Sequence, residues 1–279
     1  MINQDPRLAR LSLNQKTVNR CSVAEAVQGC TEVGIPAIGL WREPVHEIGV
    51  AKTAKLVDDA GLRVSSLCRG GFFTGVEGAE RRGAMADNRR ALDEAAELGA
   101  PCLVLVVGGL PAGSRDLPGA RQRVVDALAE LAPYAGERGV RLALEPLHPM
   151  YCADRAVLST LGQALEIAEA FPVEQVGVVV DAFHVWWDPE LFTQIGRAAD
   201  RIASFQVCDW LTPLPADVLL GRGMMGDGHI DFRPLRAAVE RAGYRGDIEV
   251  EIFNADVWAE EPHTVLHTMA ERYLGCVCD

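Results

Sequence analysis

With 279 residues, 49% of them hydrophobic and 24% charged, the chain can bury a large core, and no stretch approaches the ~20 continuous apolar residues of a membrane span. Its net charge of −12 repels phosphate backbones and, with no local basic patch, excludes nucleic acid as a partner. Eight cysteines scattered singly, without a CxxC pair, argue against structural zinc, and with no cationic leader ahead of an apolar run the expected setting is cytoplasmic and reduced.

Along the chain, short β-rich runs alternate with segments of helical period. ARLSLN (9–14) precedes a helix over 22–34, AIGLW (37–41) one over 47–61, and RVSSLC (63–68) one over 77–99. CLVLVVG (102–108) precedes 119–139, RLALE (141–145) precedes 155–171, and VGVVVD (176–181) precedes 189–199. IASFQVCD (202–209) precedes 232–243, and IEVEIF (248–253) precedes 261–275. Gly34, Gly61, Gly99, Gly139 and Gly243 each fall between a helix and the next strand, where a left-handed cap opens a short αβ loop.

The cationic run from Arg81-Arg82 to Arg89-Arg90 is interleaved with Glu80, Asp87 and Asp93 and reads as a solvated helix face. Cys276-x-Cys278 reads as a frayed tail. Eight βα units without a separating linker predict one (β/α)8 TIM barrel over 1–279. An open doubly wound sheet would want a glycine fingerprint after its first strand, and SLNQKTVNRCS carries none.

In such a barrel the active site is built at the C-terminal ends of the strands. Four consecutive strands end on an oxygen ligand: Glu145, Asp181, Gln206 and Glu251. Like charges ~4 Å apart repel by several kcal/mol even at moderate effective dielectric, and a divalent cation removes that penalty. The four are therefore candidate metal ligands. Glu249 shares a face with Glu251 one layer deeper, and if it points inward it needs a partner of its own.

His148 and His184 each lie three residues beyond a candidate ligand, as proton shuttles or substrate hydrogen-bond donors. His46, His263 and His267 read as surface residues. The loop GRGMMGDGHID (221–231) has the glycines to close over a ligand, with Arg222 and His229 as candidate substrate contacts. Phe72-Phe73, Trp41, Trp186, Trp187 and Trp210 follow strand ends, where Trp186 and Phe72 are candidates to stack on a sugar face.

The segments LALEPLH, VGVVVDAFHVW, SFQVCDW with GDGHID, and IEVEIF resemble the xylose isomerase-like sugar phosphate isomerase/epimerase superfamily. That resemblance implies a TIM barrel binding one divalent ion through Glu145, Asp181 and Glu251, with His184 touching substrate. It also implies that Glu145 and Glu251 remove and return a proton on opposite faces of the sugar. Many members carry histidine as third ligand where this chain has Gln206, so the all-oxygen set points to manganese, then magnesium or cobalt, with zinc disfavoured. The FQVCDW…RGMMGDG segment is similar to the catalytic subunit of C-glycoside deglycosidases, which act on 3-oxo-glycosides with a small β-rich subunit.

A metal-histidine nuclease of the same superfamily is argued against by six histidines in all and the acidic charge. The expected chemistry is proton abstraction α to a carbonyl, by a glutamate or His148, on a carbohydrate or glycoside. Epimerisation, isomerisation and β-elimination (as in an inosose dehydratase) remain open outcomes, and a non-enzymatic sugar-binding barrel is the alternative of another class. The expected assembly is an oligomer, of like chains or with a β-rich partner, with neither membrane nor nucleic acid.

Overall fold

The computed structural model describes residues 5–75 and 78–278. Eight parallel strands close into a barrel: β1 (Leu11–Asn14), β2 (Ala37–Trp41), β3 (Arg63–Gly71), β4 (Cys102–Val106), β5 (Arg141–Leu144), β6 (Val176–Asp181), β7 (Ile202–Val207) and β10 (Ile248–Val250), the last returning to pair with β1. β8 (Asp209–Trp210) and β9 (Arg222–Gly223) form a separate antiparallel ribbon after β7. This is the expected (β/α)8 TIM barrel. Among the described residues no helix is long and apolar enough to cross a membrane.

The helices are α1 (Val23–Val33), α2 (Arg42–Ile48), α3 (Val50–Asp59), α4 (Ala79–Glu97), α5 (Leu117–Glu137), α6 (Leu161–Ala168), α7 (Ala182–Val185), α8 (Leu191–Ala198), α9 (Phe232–Arg241), α10 (Ala255–Ala259) and α11 (Pro262–Arg272). Residue 77, expected to open the third helix, lies outside the described residues. The five inter-element glycines all have positive φ, from 66° to 105°, as the cap reading requires.

Several boundaries differ from the sequence expectation. The helix expected over 47–61 is two helices, because Gly49 at φ 96° breaks the ladder between α2 and α3. The one expected over 155–171 shrinks to α6. Leu147 N–H donates to the Leu158 carbonyl and Ala156 bridges Gly108, so this stretch packs extended on the barrel until Thr160 caps α6. Ala9 and Arg10, expected to open the first strand, instead end a 3-10 turn over Pro6–Arg10 behind the Asp5 cap. The 273–278 tail stays helical, anchored by buried Tyr273 and Val277, so Cys276 and Cys278 do not sit on a frayed end.

Strand alternation sorts the barrel into two regions. Leu142 and Leu144, Val178 and Val180, Phe205 and Val207, Ile248 and Val250 point outward into the main core under the helices. Cys102, Val104, Ala143 and Val179 point inward, with Cys68 and Trp41. The interior is therefore lined by small residues, which leaves room for polar groups. Glu249 uses that room. Its carboxylate accepts from Asn14 Nδ2 (2.6 Å), Ser65 Oγ (2.6 Å), Ser66 Oγ (2.8 Å) and Gln206 Nε2 (3.1 Å). A buried charge with four donors is a satisfied one.

Gly39 is the residue that gives this carboxylate its space, since a Cβ there would lie 2.5 Å from Glu249 Cδ. Gly39→Ala is expected to lower stability by about 2 kcal/mol through forced repacking. Gly83→Ala, on the exposed side of α4 with nothing within 4 Å of the added Cβ, is expected to raise it by up to about 1 kcal/mol. Urea midpoints of the two variants check the contrast.

Candidate active site

The polar strand ends converge at the mouth. Asp181 is the last residue of β6 and lies in register with Gln206, which in turn pairs with Glu249 of β10. Glu145 and Glu251 are the first residues past β5 and β10. All four predicted ligands are buried, at 5% exposure or less. Glu145 and Glu251 line one cavity with His184, Arg222, Tyr151, Trp41 and Phe253.

Arg222 dominates the electrostatics. The β8–β9 ribbon turns it inward, where Nη1 lies 2.8 Å from Glu251 Oε2 and 3.2 Å from Asp181 Oδ2. It is 3% exposed, and it stands over the Phe183 and Phe253 rings at 4.7 and 5.0 Å. Expected as a substrate contact on loop 221–231, this arginine lines the cavity and is paired there with the carboxylates.

Loop 221–231 owes its shape to Asp209, a residue the sequence reading passed over. Its carboxylate accepts from the backbone N–H groups of Trp210, Gly226, Gly228 and Ile230 at 2.8–3.0 Å. The glycines serve close approach rather than swing: a Cβ on Gly228 would lie 2.2 Å from the Trp210 carbonyl oxygen.

One guanidinium does not balance three carboxylates. Burial pushes Glu145 far above the usual carboxylate range, Glu251 and Asp181 push it further, and Arg222 only partly opposes. Burial likewise raises Glu251 to about 7 against the pull of Arg222, and raises Asp181 against Arg222 and the Phe183 N–H. His184 is driven well below its ordinary value, first by burial and then by Arg222, so it is neutral. It then has one lone pair for two donors, the His148 N–H at 3.2 Å from Nδ1 and Arg222 Nη2 at 3.0 Å from Nε2. Only one of these can be a hydrogen bond at a time.

The other predicted residues are placed differently. His148 packs its ring against Trp187 and Trp210, away from the cavity lining, and burial lowers its pKa. His229 is exposed and bonded to Thr212, beside Trp186 on an outer pocket. Phe72 is 47% exposed on the rim, under Arg69. The cavity's aromatic walls are Trp41, Tyr151 and Phe253. Tyr151 escaped the sequence reading because it follows β5 within a proline-broken loop of no periodicity.

The mouth holds candidate donors for a divalent cation. Gln206 Oε1 is buried with no partner among the described residues, and its amide orientation follows from Nε2 donating to Glu249. Glu145, Asp181 and His184 offer ligand atoms all within 4.8 Å of one another, while the predicted ligand Glu251 is grouped in the same way with Cys68 and the deeper Glu249.

The xylose isomerase-like TIM barrel family model matches residues 25–270. The chain belongs to that family. Within it, a solved Sinorhizobium meliloti protein is 50% identical with a TM-score of 0.94, covering 97% of this chain and 99% of that one. A zinc-binding IolI structure aligns at TM-score 0.82 and 20% identity over 96% of this chain and 98% of that one, which speaks for the fold. Among curated relatives, a Pseudomonas putida 3-dehydroshikimate dehydratase is 33% identical over 59% of this chain and 25% of its own length. An inosose isomerase of Halalkalibacterium halodurans is 26% identical over 56% of this chain and 55% of its own. The matches thus span about half or less of these relatives. The curated relatives named here are an isomerase and a dehydratase, which supports an enzyme.

Because Asp209 alone gathers the loop amides, Asp209→Ala is expected to cost about 2–4 kcal/mol. Amide exchange at Gly226, Gly228 and Ile230 should quicken by about tenfold or more, measured by hydrogen–deuterium exchange.

Proposed function

We propose that this chain is a divalent-metal-dependent enzyme that removes a proton α to the carbonyl of a sugar or keto-polyol, the half-reaction shared by isomerases and epimerases. The observation that carries this reading is the pair of buried glutamates, Glu145 and Glu251, from the ends of two barrel strands on one cavity. Two carboxylates facing one enclosed space can take a proton from a bound substrate and return it.

Glu145, Asp181, Glu251 and Gln206 Oε1 are the residues that would hold the ion, which would supply Lewis-acid stabilisation of the charge developing on the substrate oxygen. Arg222 orients Glu251 through its 2.8 Å contact, while the Glu145 side chain has no hydrogen bond among the described residues and faces the cavity as the proton acceptor. Neutral His184 presents its ring to a substrate hydroxyl, and His148 acts on it through its backbone N–H. Trp41 and Phe253, at 5.8 Å edge to face, wall the cavity against water. With only oxygen donors, manganese or magnesium is preferred over zinc.

A second reading, β-elimination of water, rests on Tyr151. Its hydroxyl is buried, lacks a partner among the described residues and lines the same cavity, so it can deliver a proton to a departing hydroxyl. The name of the dehydratase relative agrees with it. A C-glycoside lyase would draw on the same donor and would also need its β-rich partner.

The test is solvent-deuterium exchange by NMR on inosose and D-fructose with manganese-loaded protein. Deuterium is expected at the carbon beside the carbonyl. Glu145→Gln should lower the rate by about a thousandfold, and exhaustive chelation should abolish it until manganese is restored. Exchange that survives either treatment sinks the reading. Tyr151→Phe should leave exchange intact and suppress enone formation, followed by ultraviolet absorbance, if elimination is the outcome.

A further inference from the structure

The carboxylate centre uses Arg222, yet three more cations line the same cavity: Lys16, Arg69 and Arg155. Among the described residues, the one acidic group on the lining beyond the central ones is the exposed Glu43. In a chain of net charge −12 a cationic rim above an acidic centre is not a compositional accident to be expected.

Among the described residues neither Lys16 nor Arg69 has an ion pair, and Arg155 has only a long one. Lys16 Nζ has the neutral Asn19 Oδ1 at 3.1 Å, and the Arg69 guanidinium has no hydrogen bond or ion pair among the described residues. Arg155 Nε is buried without a partner, its nearest carboxylate being Asp154 Oδ2 at 3.9 Å. Solvated surface cations need no explanation, but Lys16 and Arg69 are partly buried and both stand over one ring, that of Trp41, at 4.7 and 5.7 Å.

That ring is a fixed platform. Trp41 is 8% exposed, and its Nε1 donates to Asn14 Oδ1 at 2.9 Å. The same oxygen accepts the Lys16 backbone N–H at 3.0 Å, while Asn14 Nδ2 is held by Glu249. Lys16 comes from the turn after β1, Trp41 from the end of β2 and Arg69 from the end of β3, so three neighbouring strand ends hold the two cations beside the reactive centre.

We infer that Lys16 and Arg69, on the Trp41 platform, form a subsite for an anionic group, so that the substrate is a carboxylated or phosphorylated keto-polyol rather than a neutral sugar. This rests on the cavity being the active site. With the central carboxylates balanced by Arg222 and a divalent ion, the charge presented to an incoming substrate is positive, and its anion docks at Lys16 and Arg69 while its carbonyl faces the glutamates. Arg155, across the cavity beside Tyr151, adds to the same field.

The experiment is calorimetric titration of the manganese-loaded full chain at low salt with quinate and D-fructose 6-phosphate, against their neutral counterparts myo-inositol and D-fructose. At least one anionic probe is expected to bind about tenfold or more tightly than its counterpart. The double variant Lys16→Gln with Arg69→Gln should bring that ratio to about one, with neutral-probe affinity, manganese content and circular dichroism unchanged. A quinate preference alone identifies a carboxylate, and a sugar-phosphate preference alone a phosphate.

Equal affinities, no binding by either anionic probe, or a preference that survives the double substitution overturns the inference. Should the double variant misfold, Arg69→Lys must keep the preference and Arg69→Gln reduce it. If Glu145→Gln retains full exchange activity while the anion preference holds, it is the proposed chemistry that fails and the subsite that stands.

Discussion

The site depends on an imbalance of charge held out of water. Asp181, Glu145 and Glu251 are brought together by strands that bury them, and Arg222 answers only part of their repulsion. Left alone, such a group protonates, which is the direction in which all three carboxyls are pushed. The barrel can afford this because its outward faces bury Leu, Val, Ile and Phe continuously under the helices. Stability lives on the outside of the barrel and reactivity on the inside.

Below the reactive layer, Glu249 connects scaffold to site. Its four donors come from β1, β3 and β7, so one buried anion ties three other strands of the barrel together. It also decides two orientations above it. Gln206 must turn its carbonyl oxygen away from the carboxylate, and Asn14 must turn its own oxygen toward Trp41 and Lys16. A single side chain thereby aims both a candidate ligand and the cationic platform.

The chain belongs to the xylose isomerase-like TIM barrel family, and partial coverage of the curated relatives leaves the reaction to be argued from the cavity. There, two buried glutamates facing one enclosed space speak for proton transfer, and the buried Tyr151 hydroxyl supplies what elimination would add. The aromatic walls match expectation in part, since Trp41 lines the cavity, joined by Tyr151 and Phe253, while Trp186 and Phe72 lie off it.

The sequence by itself determined the barrel, its glycine caps and the inward phase of Glu145, Asp181, Gln206 and Glu251, because a period of two along a strand is a local property that every residue pair reports. It also exposed Glu249 as a charge in need of a partner. It could not supply that partner, because Asn14 and Ser65 are over 180 residues away in the chain. Nor could it show that Arg222 is buried or that His148 and His229 stand off the cavity, since loop direction follows from contacts such as those of Asp209 with residues 17 to 21 positions on. Periodicity writes strands into a sequence; only closure of the barrel decides which loop residues end up facing one another.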